Sequence, residues 1–395
     1  MPDIIQIAIL CISSLIFGLA AERLGQPKMA GQMLAGLIIG PQCLSFVKLG
    51  YSLGSLSNIC AVIIICVATL EIEIDEIRDS LLGKGFIMGL MGFFVPFSLG
   101  IALGRSFNLT WPQSSILACC ISVTALPVTI RILESFNMIH TKLCSIVVSA
   151  AVLNDLLALM VLGILIEPDD FSNISVITRS IALDIGRFLI FISILGVIHS
   201  LIIKKWLAVQ IRIWGRNRLF TGMTMSSSLL LILGSLELAK FLQVHGIIAA
   251  FFGTLLASDV LSHIPGSGER IRKSTERIME WVFVPIFFAA IGYKCDLHAF
   301  KDPLLVLSIT IVAVMAKLVA GFLGAKITGL SRENSIAAAI LLNGRGIMEM
   351  VVADIAFQKG IINSTLFSSL LFMGLVTTAL TPVLFQRCYL RNNHE

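Results

Sequence analysis

Charge is scarce in this sequence. Asp, Glu, Lys and Arg make up 13% of its 395 residues, against 57% hydrophobic residues and a mean hydropathy of +0.95. Soluble domains carry about twice that charge fraction, which excludes a soluble enzyme or binding module. The nine cysteines show no metal-ligand spacing. Cys60, Cys66, Cys119, Cys120 and Cys144 fall inside apolar runs, where Cys is a small apolar filler rather than half of a disulfide or a zinc ligand. The first apolar run, Asp3 to Ala21, lacks a basic n-region and a small-residue cleavage site, so it reads as a retained span and not as a signal peptide. A second aspartate in a Gly-flanked motif is also missing, which removes an intramembrane aspartyl protease. No enzyme is expected. The net charge of +5 is no sign of nucleic-acid binding, because its placement along the chain accounts for it.

Apolar runs of about 20 residues, enough to cross a bilayer, recur from end to end. The expected fold class is an all-α polytopic membrane protein with about thirteen spans. They centre near Ser13, Leu37, Ile63, Phe93, Cys120, Asn154, Ile192, Leu230, Phe252, Phe287, Ala313, Gly346 and Leu371. With the amino terminus outside, nineteen of the 29 Lys and Arg fall on the inner side and seven on the outer. That bias, with an odd number of spans, predicts a cytoplasmic carboxyl terminus in a bacterial inner membrane. "KKWLAVQIRIWGRNR" (Lys204 to Arg218) is basic and amphipathic, as suits a helix on an anionic leaflet. "GSGERIRKSTERIMEW" (Gly266 to Trp281) reads as a solvated connector. Residues 1–388 read as one transmembrane domain, and 389–395 as a short cytosolic tail with no nucleotide-binding domain.

Against this apolar background, the buried charges are conspicuous. Each costs about 2.5–3.5 kcal/mol on insertion scales and is read first as functional. Asp155, in "SAAVLNDLLALMVL", has about a dozen apolar-run residues on either side, beyond the snorkelling reach of its one methylene. Desolvation penalises its charged form, which suits a group that exchanges protons near physiological pH. A carboxylate is also a hard oxygen ligand for alkali cations. One group that holds a proton or a cation, never both, is a minimal exchanger. The bland alternative is a neutral Asp hydrogen-bonded to a neighbouring helix.

In "CISVTALPVTI" (Cys120 to Ile130), Pro127 cannot donate a helical hydrogen bond and crowds the carbonyl of Val123. Backbone oxygens are thereby freed beside the hydroxyls of Ser122 and Thr124. Unwound backbone at membrane depth is tolerated where it lines a cavity or is buried in protein. Broken helices near a carboxylate are the usual ion sites of secondary transporters; a kinked packing helix is the alternative. "LLNGRGIMEMVVADIAF" (Leu341 to Phe357) repeats the pattern. Gly344 and Gly346 flank Arg345, and Glu349 lies four residues on, on the same helix face, where the pair could simply neutralise itself. Lys317, in "TIVAVMAKLVAGF", is a third buried charge, which needs a carboxylate partner or must lose its proton.

These motifs resemble the cation:proton antiporter-2 family, of the bacterial sodium/proton and potassium-efflux antiporter type. "RLGQPKMAGQMLAGLIIGP", "TLEIEIDEIR", "SVTALPV", "SAAVLNDLLAL", "HGIIAAFFGTLLAS", "FVPIFFAAIG", "LLNGRGIMEMVVADIA" and "TTALTP" come in the family's order across almost the whole chain. The resemblance implies a sodium/proton-antiporter fold with inverted repeats and two crossed, broken helices. It implies a mobile core including residues 112–166 and 303–386, and dimerisation or scaffold helices including 29–45 and 181–262. Asp155 would be the shared carrier of cation and proton, with Asn154, Thr124, Ser122 and Val123 around it, and Lys317 would stabilise the core. Electrogenic members carry a first aspartate where this chain has Asn154, as electroneutral relatives do. In those relatives an arginine matching Arg345 bonds an acid in the third span, here Glu71 or Glu73. This chain keeps both Lys317 and Arg345, with Glu349 beside the latter.

The function expected is exchange of Na+ or K+ for H+ by alternating access, electroneutral, in a homodimer embedded in lipid and serving pH homeostasis. The cargo is Na+, K+ or Li+ and protons; no cofactor and no nucleic acid are implied. The alternative is a gated potassium-efflux channel of the same fold. A bile-acid-type sodium symporter would not need the whole motif series.

Overall fold

The computed structural model describes residues 3–47, 51–70, 83–139, 141–166, 174–203, 205, 209, 218–262 and 268–392. Glu71, Glu73, most of the basic stretch from Lys204 to Arg218 and the last three residues of the tail lie outside the described residues. The described residues form helices and no strand. Eight helices are long and apolar enough to cross a membrane, and four shorter apolar helices accompany them. With Val284–Lys294 they make thirteen apolar segments among the described residues, the number the hydropathy pattern predicts.

The chain divides into two compact units, one of Met1–Cys60, Ile77–Leu165 and Val284–Glu395, the other of Ala61–Glu76 and Ile166–Phe283. The first begins with α1 (Asp3–Arg23), α2 (Lys28–Ile39) and the start of α3 (Tyr51–Leu70). It continues through α4 (Lys84–Ser106), α5 (Trp111–Ser122), α6 (Leu126–Ser135) and α7 (Lys142–Ile166). In the second unit are α8 (Ile174–Val197), α9 (Arg218–Leu242), α10 (Gly246–Ser262) and α11 (Gly268–Ile278). The chain returns to the first unit with α12 (Val284–Lys294), α13 (Pro303–Ile327), α14 (Arg332–Leu342), α15 (Ile347–Gln358) and α16 (Ser364–Asn392).

Within the first unit, α4 to α7 and α13 to α16 share one order: a long helix, a helix broken in two, a long helix. The starts are set by local chemistry. Thr110 and Gln113 form a reciprocal capping box at the head of α5. Asp302 caps α13 ahead of Pro303, and Ser331 caps α14. Asp296 caps the short helical turn Leu297–Lys301, and the backbone N–H of His298 holds its carboxyl below the usual carboxylate range.

Helix α13 shows what solvates the unit. Leu304, Leu307, Ile311, Met315, Val319, Leu323 and Ile327 are exposed along one stripe, while Ile309, Ala313, Ala316, Lys317, Ala320 and Gly324 are buried. A stripe of bare aliphatic side chains fits hydrocarbon, and the lone charge turns inward, away from it. In the second unit, α9 packs along α10. Ser235 donates to the carbonyl of Ala249 at 2.9 Å, and His199 pairs with Asp259 at 2.8 Å. The stretch read as a connector forms α11, on which Lys273, Ser274 and Arg277 are exposed.

Helix α2 packs on α1 and α12, and its contact with α12 is as close as backbones allow. A Cβ on Gly36 would overlap the carbonyl oxygen of Ala289, and one on Gly292 would overlap that of Met33. Gly36→Ala should therefore force the two helices apart, at the cost of about 1–3 kcal/mol typical of overpacking. Gly234→Ala on α9 meets nothing within 4 Å and serves as the control. We expect the melting midpoint of detergent-purified protein to fall for Gly36→Ala and to hold for Gly234→Ala. Equal midpoints would contradict the packing described.

Candidate functional site

Two helices of the first unit stop and restart at the same place. Helix α5 ends at Ser122 and α6 begins at Leu126, with Val123 and Ala125 extended between them. Pro127 lies in the first turn of α6, where a missing N–H leaves no helical bond unmade. Helix α14 ends at Leu342 and α15 begins at Ile347, with the break spanning Asn343 to Gly346. The breaks touch through their backbones, the N–H of Ala125 donating to the carbonyl of Gly344 at 2.9 Å. Glycine at 346 is a matter of clearance: a Cβ there would lie 2.6 Å from that of Ala125. Around this contact α5 packs on α15, and α6 on α14.

Breaking a helix strands its last carbonyls, which carry partial negative charge and have no water to bond at this depth. At α14 the cure is neutral: Thr124 donates to the carbonyl of Leu342 and Thr129 to that of Leu341, each at 3.2 Å. At α5 it is cationic. The Arg345 guanidinium donates to Val123 at 2.7 Å and to Cys120 and Ile121. The Lys317 ammonium donates to Gly92 of α4 at 2.9 Å, to the Thr124 hydroxyl at 2.8 Å and to the carbonyl of Ser122. Those three acceptors match the three N–H groups of an ammonium. Arg345 and Lys317 are both 0% exposed.

Asn154 and Asp155 reach the crossing from α7. Asn154 donates through Nδ2 to the Thr124 hydroxyl at 3.1 Å, so that hydroxyl accepts from Lys317 and Asn154 and donates to Leu342. Asp155 is 6% exposed. The Oδ1 atoms of Asn154 and Asp155 have no hydrogen-bond partner among the described residues. The structure thus brings together Asn154, Asp155, Thr124, Ser122, Val123, Lys317 and Arg345. Two of them take unexpected parts. The freed carbonyl of Val123 is occupied by Arg345, and the Ser122 hydroxyl turns back onto Ala118 at 2.7 Å.

Glu349 is fully buried, yet it forms no ion pair with Arg345 among the described residues. Its oxygens point at Gly374 of α16, where a Cβ would sit 3.2 and 3.3 Å from them. Lys317, likewise, has oxygen acceptors in place of the carboxylate partner that composition suggests. The acid expected opposite Arg345, Glu71 or Glu73, lies outside the described residues.

A second polar cluster lies at the far end of α15. Asp354, 1% exposed, accepts from Lys294 at 2.5 Å, and from Ser57 and Gln358 at 2.8 Å each. Sequence reasoning placed Lys294 with the outer charges and passed over Asp354, although a lone acid in "VVADIAF" is the same signal that marks Asp155.

The profile of a family described as sodium/hydrogen exchanger, transmembrane, matches residues 7–386. The chain belongs to the sodium/hydrogen exchanger family. It is similar to the Na(+)/H(+) antiporter of Enterococcus hirae, 23% identical over 96% of this chain and 97% of that protein. To the Na(+)/H(+)-K(+) antiporter GerN of Bacillus cereus it is 24% identical, over 95% of this chain and 94% of the relative. The yeast K(+)/H(+) antiporter 1 is 26% identical over 92% of this chain, which spans 44% of that longer protein. The structure of the sodium proton antiporter MjNhaP1 from Methanocaldococcus jannaschii superimposes with a TM-score of 0.67 and 16% identity, covering 97% of this chain and 95% of that one. The fold is therefore that of the sodium/proton antiporters, a multi-pass transporter fold with two crossed, broken helices.

Arg345→Lys tests the cationic cap. One ammonium cannot span the three carbonyls that the guanidinium fork reaches, and each buried carbonyl left unpaired costs about 1–3 kcal/mol. Its melting midpoint should fall below that of the native protein, and that of Arg345→Met lower still. Unchanged midpoints for both would mean that the contacts do not hold the crossing.

Proposed function

We propose that this family member exchanges a monovalent cation, Na+ or K+, for protons by alternating access, with Asp155 as the carrier of both. The observation that carries the reading is the state of Asp155. It is a buried carboxylate beside two broken helices, with one buried oxygen unpartnered in a site whose two cations, Lys317 and Arg345, are already bonded to carbonyls. Alkali ions and protons compete for such an oxygen, so each is released when the other binds. Asn154 adds a neutral oxygen, and the Thr124 hydroxyl fixes its amide. Full-length similarity to proteins named as Na(+)/H(+) and Na(+)/H(+)-K(+) antiporters supports exchange over the conducting alternative.

In this reading the helices around the crossing form the moving core, and those including 181–262 belong to the scaffold of a homodimer. The amino terminus faces outward and the carboxyl terminus the cytoplasm of a bacterial inner membrane, as the Lys and Arg distribution suggests. The task served is pH homeostasis.

The direct test uses purified protein in vesicles with a pH-sensitive dye inside. Addition of Na+, K+ or Li+ should drive proton movement in the native protein and none in Asp155→Asn, which replaces carboxylate by an amide of like size. Substantial exchange by a well-folded Asp155→Asn would sink the assignment.

Stoichiometry follows from Asn154. With no acid at 154, and with the Lys317 ammonium bonded to three oxygens, Asp155 is the group that changes occupancy in this reading. One proton replaces one cation, and the loaded core carries equal charge in both directions. Transport should then ignore membrane potential, whereas one net charge per cycle would couple it by about 2.3 kcal/mol per 100 mV. Imposing a potential with a selective ionophore, while following Na+-driven proton movement, checks this. A potential-dependent rate that disappears in Lys317→Gln would refute one-for-one exchange and identify Lys317 as the cause.

A further inference from the structure

Buried polar atoms in folded proteins nearly always find partners, and those that do not call for an explanation. Among the described residues that carry buried side-chain nitrogen or oxygen atoms without a hydrogen bond, five, Asn154, Asp155, Asn343, Arg345 and Glu349, belong to the crossing or to α7 beside it. Asn343 is the extreme case. It is 0% exposed, and neither its Nδ2 nor its Oδ1 has a hydrogen-bond partner among the described residues.

Local structure does not explain an asparagine here. It closes α14 with φ −79° and ψ −13°, a right-handed conformation, so the left-handed preference that often places Asn at helix ends is not in use. Its side chain makes none of the turns onto nearby backbone that Asn favours. The contrast with the polar residues that open helices here is plain: Thr110, Asp296, Asp302 and Ser331 all accept a backbone N–H. In a dry interior, a leucine would fill position 343 without the desolvation cost of a carboxamide.

Position does offer an explanation. Asn343 lies between Leu342, whose carbonyl takes the Thr124 hydroxyl, and Gly344, whose carbonyl takes the N–H of Ala125. Thr124 in turn holds the amide of Asn154, next to Asp155. Two hydrogen bonds therefore link the carbonyl of Leu342, the neighbour of Asn343, to the side chain of Asn154, the neighbour of the proposed carrier. The oxygens freed by the first break are engaged by Arg345 and Lys317. A cation stripped of part of its water at Asp155 needs neutral oxygen dipoles besides the carboxylate, and the number and field strength of such dipoles govern the choice among alkali ions.

We infer that Asn343 is a ligand of the transported cation, a neutral oxygen donor from the second broken helix that acts with Asp155 and sets the preference among Li+, Na+ and K+. This rests on the exchange reading above, and its test is built on cation binding so that the two fail separately. Asn343→Leu keeps the volume and removes both polar atoms. In vesicles its half-saturating Na+ or K+ concentration should rise about tenfold or more, as the loss of one ion–dipole contact implies. Its maximal rate should stay near the native value, and its discrimination among the three ions should shrink. In detergent, the thermal stabilisation that each ion gives the native protein should weaken in parallel for Asn343→Leu and return, with an altered ion order, in Asn343→Asp.

An Asn343→Leu protein that folds normally, with unchanged half-saturation, ion order and cation-dependent stabilisation, would overturn the inference. So would a variant that loses only maximal rate, because that marks a structural role. Native vesicles that move no protons for any of the three ions would overturn the exchange reading instead.

Discussion

Four consecutive carbonyls, from Cys120 to Val123, end a helix in the middle of an apolar protein, and the arrangement around them follows from the need to satisfy them. Two cations do so, reaching across from α13 and from the second break. Either cation alone would be a heavy burden in hydrocarbon. Bonded to carbonyls at the negative end of a helix, each is stabilised without being neutralised by a carboxylate. The two acids nearby, Asp155 and Glu349, are thereby left out of the ion pairs that composition would suggest. A carboxylate locked to an arginine would be a poor carrier, and one standing apart can trade its occupant.

The second break is handled differently, and the difference gives the site its direction. Hydroxyls from Thr124 and Thr129 close α14 at no cost in charge, so both formal positive charges gather on the α5 side. Thr124 is the joint of the assembly, because its one oxygen serves Lys317, Asn154 and Leu342 together. The same interdependence explains why the two broken helices cross where they do. Gly346 lets the second backbone come within reach of Ala125, and no larger residue would permit the Ala125–Gly344 bond.

Much of this was legible in the sequence, and the limit has a physical character. Span number followed from hydropathy, Asp155 from its isolation in apolar surroundings, and the two breaks from Pro127 and from the glycines around Arg345. Each is a local signal, readable from a dozen residues. Partnership was not legible. That Arg345 would bond carbonyls 222 to 225 positions away, rather than the acid four residues on, depends on a fold that brings the two breaks together. The pairing of Asp354 with Lys294 was hidden for the same reason, although Asp354 itself carries the local signal of a lone acid in an apolar run. Asn343 was hidden by company: in "LLNGRG" the arginine and glycines draw the eye, and an asparagine there reads as a helix end.

The distance along the chain between Val123 and Arg345 also has a consequence in time. A ribosome adds about 5–20 residues per second, so the 222 residues between them take roughly 10–40 s to appear. During that interval the first broken helix exists with its terminal carbonyls uncapped, in a membrane that offers little to bond them. The nascent chain must either hold that segment near the water interface or keep it as a continuous helix until the final third of the protein arrives. The capping of the first break is therefore a late event in biogenesis, completed from the carboxyl-terminal side by a residue that is not yet made when α5 is first synthesised.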